Sequence, residues 1–136
     1  MMPKVIYRGP AGQIPSTLNL PIAAALKPGL AVVSDGSQLS AAADASAEVM
    51  ILGQNLHLGQ GVDQAYESGN TAVAHLMESG QLYLVRLAAG TYSMGQALSV
   101  GAGGLFEAAG ANRPVAYYRG APGAVAENDL ADVAVA

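Results

Sequence analysis

Two histidines, His57 and His75, are the side chains of this sequence best suited to acid–base chemistry or metal ligation. They stand eighteen positions apart, in different predicted elements. A transition-metal site needs such imidazoles joined by further ligands at close spacing. Asp63 and Glu67 lie near His57, but the spacing matches no metal motif. The chain has many serines, yet none stands in the Gly-x-Ser-x-Gly context of a nucleophile elbow. Ser37, in Asp35-Gly36-Ser37, and Ser99, after Leu98, read as turn and strand residues. Val100-Gly101-Ala102-Gly103-Gly104 has the glycines of a phosphate loop. It lacks the Lys-Ser/Thr ending, and no helical pattern follows to offer an N-terminus to an anion. With no cysteine, thiolate chemistry, disulfides and Cys-based metal sites are excluded. The expectation is a protein that is not an enzyme, with no catalytic residues, no metal and no cofactor.

Recognition chemistry is equally sparse. The aromatic residues are Tyr7, Tyr66, Tyr83, Tyr92, Phe106, Tyr117 and Tyr118. A stacking platform for bases or sugars wants two or three on one face. Tyr117 and Tyr118 are adjacent, so on a strand they point to opposite sides, one to the core and one outward. An exposed tyrosine on a charge-poor face suits a protein interface. Only 12% of residues are charged, about half the usual share, and the net charge is -4 with no basic cluster. Nucleic acid is therefore not an expected partner. The longest apolar run, from Pro21 to Val33, is broken by Lys27, Pro28 and Gly29, so no membrane span is expected. The start, Met1 to Pro10, has no apolar stretch of signal-peptide length, and the expectation is a chain made in a cytoplasm.

The elements that position these residues read as strands. One pattern occurs twice, over residues 28–54 and 94–120, at a constant offset of 66. Gly29 falls on Gly95, Val32 on Leu98, Leu39 on Leu105 and Val49 on Val115. Each copy predicts a strand (Leu30 to Val33; Gln96 to Val100), a Gly/Ser-rich turn, a reopening at Leu39 or Leu105, and a third strand (Val49 to Leu52; Val115 to Tyr118). Two similar hairpins arising by chance remain the alternative. Ala41 to Ala47 and Val62 to Ser68 are candidates for one or two helical turns.

Thr71 to Met77 and Gln81 to Ala88 read as a hairpin through Glu78-Ser79-Gly80, with Arg86 pointing out or to a partner. Leu130, Val133 and Val135 mark a last strand. Residues 1–21 carry Pro3, Pro10, Pro15 and Pro21 around Val5-Ile6-Tyr7. They read either as an extended arm docking on a neighbour or as an irregular strand lying on its own domain. Thr17 to Leu20 alternates as an edge strand would. Residues 22–136 then form a single β-rich domain. The count of short strands points to a small barrel or sandwich.

The stretch Tyr83 to Gly120, Lys27 to Val32 and the closing valine-rich strand together resemble the capsid decoration, or cement, proteins of tailed bacteriophages. That resemblance implies a mainly β fold, a small β-tulip-like barrel or sandwich with one or two short helices and an extended N-terminal arm. It implies a structural virion protein on the capsid surface. There it would clamp neighbouring major capsid subunits and stabilise the head, with the major capsid protein and itself, as a homotrimer, for partners. The arm positions it would place on the capsid are Val5, Ile6, Tyr7, Arg8, Ile14 and Leu18. The alternatives are another phage head or tail module and a small β-barrel binding a sugar or other ligand.

Overall fold

The computed structural model describes residues 5–55 and 59–136; His57 lies outside them. Thirteen strands are described: β1 (Tyr7–Gly9), β2 (Thr17–Pro21), β3 (Ala31–Ser34), β4 (Leu39–Ala41), β5 (Met50–Leu52), β6 (Thr71–Leu76), β7 (Leu82–Arg86), β8 (Gly90–Tyr92), β9 (Ala97–Val100), β10 (Phe106–Ala108), β11 (Ala116–Tyr118), β12 (Gly123–Val125) and β13 (Leu130–Val135). They form a six-stranded sheet in the order β1-β7-β13-β11-β9-β10 and a five-stranded sheet in the order β2-β6-β5-β3-β4. A small ribbon, β12-β8, stands apart. Every pairing between strands is antiparallel.

The expected mainly β fold is therefore present, as a sandwich; the sheets do not close into a barrel. The helical turns expected over 41–47 and 62–68 are bends and turns instead. Among the described residues the only helical piece is one 3-10 turn, Ala102–Gly104.

Alternation builds the core. On the five-stranded sheet Ala31 and Ile51 face inward, and on the six-stranded sheet Tyr83, Val85, Leu98, Phe106 and Val133 meet them in one buried cluster. The other face of the five-stranded sheet is covered too. Ile22 and Tyr66, from loops, pack there on Val32, Leu39, Met50, Leu52, Ala72 and Ala74. This explains why Met50-Ile51-Leu52 is apolar at three successive positions: β5 is buried on both faces.

The two similar stretches fold alike. β3 and β9 begin 66 residues apart, as do β5 and β11. Their pairing has the same register, Ala31 with Ile51 and Val32 with Met50 in one, Ala97 with Tyr117 and Leu98 with Ala116 in the other. The hairpins differ by one residue, since Ser34 pairs Leu39 while Val100 pairs Phe106. The 3-10 turn absorbs the extra residue. Its Gly104 has φ +77, and a Cβ there would collide with the Ala31 carbonyl oxygen. Only glycine brings this turn onto the backbone of the opposite sheet.

One predicted pairing is overturned. β6 and β7 do not form a hairpin: β6 pairs β5 and β2, whereas β7 pairs β1 and β13. The connection arches from one sheet to the other. The Gln81 side chain holds it, its Oε1 accepting from the Glu78 N–H at 3.0 Å and from the Tyr83 hydroxyl at 2.9 Å. The local pattern marks both strands, but each finds its partners far along the chain.

Candidate interaction surfaces

Arg86 occupies the interior. It is 3% exposed, and its guanidinium is shared among three loops. Nε donates to the Pro28 carbonyl at 2.8 Å, Nη1 to the Asn128 carbonyl at 2.9 Å and Nη2 to the Val62 carbonyl at 2.6 Å. Nη2 also lies 3.2 Å from Asp63 Oδ1. The expectation that Arg86 points out or to a partner fails, because hydrogen bonds to three backbone carbonyls outweigh hydration of the charge. Its planar fork fits acceptors in three directions as an ammonium would not. Arg86 is a structural knot and no part of a surface.

Residues 5–21 lie on the domain's own sheets. β1 is an edge of the six-stranded sheet and β2 an edge of the five-stranded one. Ile6 is 1% exposed in the main core. Its N–H donates to Gln54 Oε1 at 3.0 Å, and its carbonyl accepts from Leu84 N–H at 2.8 Å. Leu18 packs on the second core. Arg8 pairs with Asp132 at 3.1 Å on the outer face of the six-stranded sheet. Of the six arm positions, Val5, Ile6, Tyr7 and Ile14 converge on one groove, while Arg8 and Leu18 do not.

That groove runs between the two edge strands and measures about 540 Å³. The five-stranded sheet reaches past the cover of the six-stranded one here, leaving part of the inner faces of β6 and β2 open. Val73 and His75 from β6 and Thr17 and Asn19 from β2 form its floor, with Gln54 and Asn55 at one end. Among the described residues, no lining side chain is a carboxylate, an amine or a guanidinium. Ile14, 94% exposed, stands on its lip.

His75 sits in an aromatic cluster below the groove, its ring centroid 6.4 Å from Tyr7 and 5.6 Å from Tyr83. Burial pushes its imidazole down to about 4. Its Nδ1 is buried, with no hydrogen-bond partner among the described residues. Burial, followed by the neighbouring Tyr7, raises the Tyr83 hydroxyl. Among the described residues no group of three or more His, Asp or Glu is placed to hold a metal.

A second surface is the outer face of the six-stranded sheet. Tyr117 is 39% exposed there, while Tyr118 is buried and stacks on Tyr92 with centroids 5.3 Å apart. Pairing places Tyr117 beside Ala134, and Ala134 beside Leu82. Leu82, Met94, Arg8, Arg119 and Asp132 then line one shallow depression. Met94 is 61% exposed. Sequence reading placed one of Tyr117 and Tyr118 outward without choosing between them, and missed Met94, whose neighbours Arg8, Leu82, Arg119 and Asp132 come from distant parts of the chain.

No protein-family model matches the chain, and no curated protein matches it. Among solved structures, the fold is similar to that of the head fiber gp8.5 N base in bacteriophage phi29, with a TM-score of 0.60. The match covers 90% of this chain and 95% of that one, at 11% sequence identity. The architecture is thus shared over nearly the whole length of both chains, with very little of the sequence in common.

Proposed function

We propose that this chain is a structural protein of a phage head, which binds the outside of the assembled capsid and stabilises it by clamping neighbouring major capsid subunits. The observation that carries this reading is the shared fold with the head fiber base, which spans 90% of the chain. Composition supports it: few charges, small side chains and exposed apolar groups on flat strands suit packing against other proteins. Binding the assembled shell and not its free subunits would stabilise the shell by mass action.

The head-facing surface in this reading is the outer face of the six-stranded sheet. Ala97 and Ala134 keep it flat, and Tyr117 and Met94 offer rigid and adaptable apolar contacts. The reading includes a homotrimer on the shell, closed symmetry being the usual outcome of self-contact. The nature of the structural neighbour favours a second reading within the same class, the base of a head fibre.

Co-sedimentation with empty expanded heads of the encoding phage tests the proposal. Saturable binding at a fixed ratio to the major capsid subunit is expected, and Tyr117→Asp with Met94→Asp should weaken it strongly. No binding, together with absence from purified virions, would sink it.

A further inference from the structure

The groove beside Ile14 is an unfinished end of the core. Val73, Thr17 and Asn19, on the inner faces of β6 and β2, line this open trough, while His75 beside them is already reached by Tyr7 and Tyr83 of the six-stranded sheet. Among the described residues, β1 and β2 each keep one edge without a strand partner. Single-chain domains seldom leave a neutral trough and two edges open together.

The chain also carries a complement to this trough. From Gly9 to Leu26, eighteen successive residues contain no charged side chain. That run includes the loop over 10–16, which bears Ile14, the most exposed large apolar side chain among those described. Among the described residues neither the groove nor the loop brings a like charge to the other, so contact between these surfaces of two copies meets no Coulombic barrier from them. An apolar knob beside an uncharged trough is self-complementary under rotation.

We infer that a second copy of this chain covers the groove, with Ile14 of each copy seated against Val73, Tyr7 and Val5 of its neighbour. This deepens the homo-oligomer part of the reading above, yet it concerns the free protein and needs no capsid. The occupant is uncharged and apolar, in keeping with a lining of neutral side chains. Asn19 and Thr17, on the edge strand β2, supply polar groups within the groove.

Sedimentation velocity over a range of concentrations tests this on the wild type and on Ile14→Asp, Asn19→Arg and Met94→Asp. The expected result is a concentration-dependent oligomer of the wild type. Ile14→Asp and Asn19→Arg should each weaken association about tenfold or more, with Met94→Asp unchanged. Ile14 is exposed in the single chain, so at concentrations low enough for both proteins to be monomeric its variant should keep the wild-type melting temperature, which shows that folding is intact.

A wild-type monomer throughout would overturn the inference, as would an oligomer indifferent to both groove variants. Dissociation by Met94→Asp alone would also overturn it and move the contact to the outer face. A failure here with intact head binding leaves the capsid role standing. Self-association through the groove without head binding removes that role instead.

Discussion

Gly29 lies directly under the stem of Arg86. A Cβ at residue 29 would stand 3.3 Å from Arg86 Cγ and 3.1 Å from Leu130 Cδ2, and the Gly29 carbonyl accepts the Arg86 N–H at 2.9 Å. Gly29 also has φ +97, a conformation that side chains disfavour. The internal comparison aligns Gly29 with Gly95; the structure shows that Gly29 both turns the chain and takes a close approach.

Gly29→Ala should therefore cost about 1–3 kcal/mol, from the left-handed backbone and the crowded Cβ together. Urea unfolding measures it. A loss below the scatter of the method would mean that the Arg86 stem moves aside freely.

Arg86→Met should cost about 3 kcal/mol, since the three backbone carbonyls stay buried and lose their donor. Asp63→Asn should cost well under about 1 kcal/mol, because that carboxylate is 77% exposed and its share of the pair is solvated. Equal losses in the two variants would show that the ion pair, and not the carbonyl network, carries the stability.

Ile6→Ala should lose about 2–4 kcal/mol, as expected for a filled core position, whereas Ile14→Ala should leave folding stability unchanged. The pair separates the two roles inside residues 5–21. For the same reason, deleting residues 1–21 would remove Ile6 and two edge strands with the loop, and is a poor probe of docking. Melting curves of the two point variants decide it, and a stable Ile6→Ala would contradict its place in the core.

His75 predicts a dependence on pH. Its folded value is depressed from 6.5 to about 4, so the unfolded chain binds the extra proton between those values. Stability from this group is fully present above about 6.5 and is lost as pH falls toward about 4. Because His75 lines an open groove, solvent reduces the effect, and roughly 2 kcal/mol is expected. Chemical unfolding at a series of pH values in that window measures it. His75→Leu should flatten the curve there, and an unchanged slope would assign the dependence to other groups.

The strands of this fold were largely legible in the sequence, and their partners were not. Short β-forming runs between Gly-rich turns mark β3, β5, β9 and β11 to within a residue, because turn chemistry is local. The fates of β6 and β7 are not local. A tight Glu78-Ser79-Gly80 turn serves a hairpin or an arch equally, and only pairing with β5 and β13 decides between them. Arg86 misled for a related reason. A charged residue in an alternating strand is ordinarily solvated, and nothing in its neighbourhood announces three distant carbonyls. The groove was invisible for a third reason: Val5, Ile14 and His75 meet only because one sheet overhangs the other.

The sandwich is sealed at one margin and raw at the other. Beyond β4 and β10 the chain folds back on itself, with Ala23 N–H donating to the Leu39 carbonyl and Ala88 N–H to that of Phe106. Among the described residues β1 and β2 have no such cover, and they line the same groove. A body with a single adhesive margin consumes that margin in its first encounter. Growth through it therefore stops at a small closed cluster, and an endless filament has nowhere to continue.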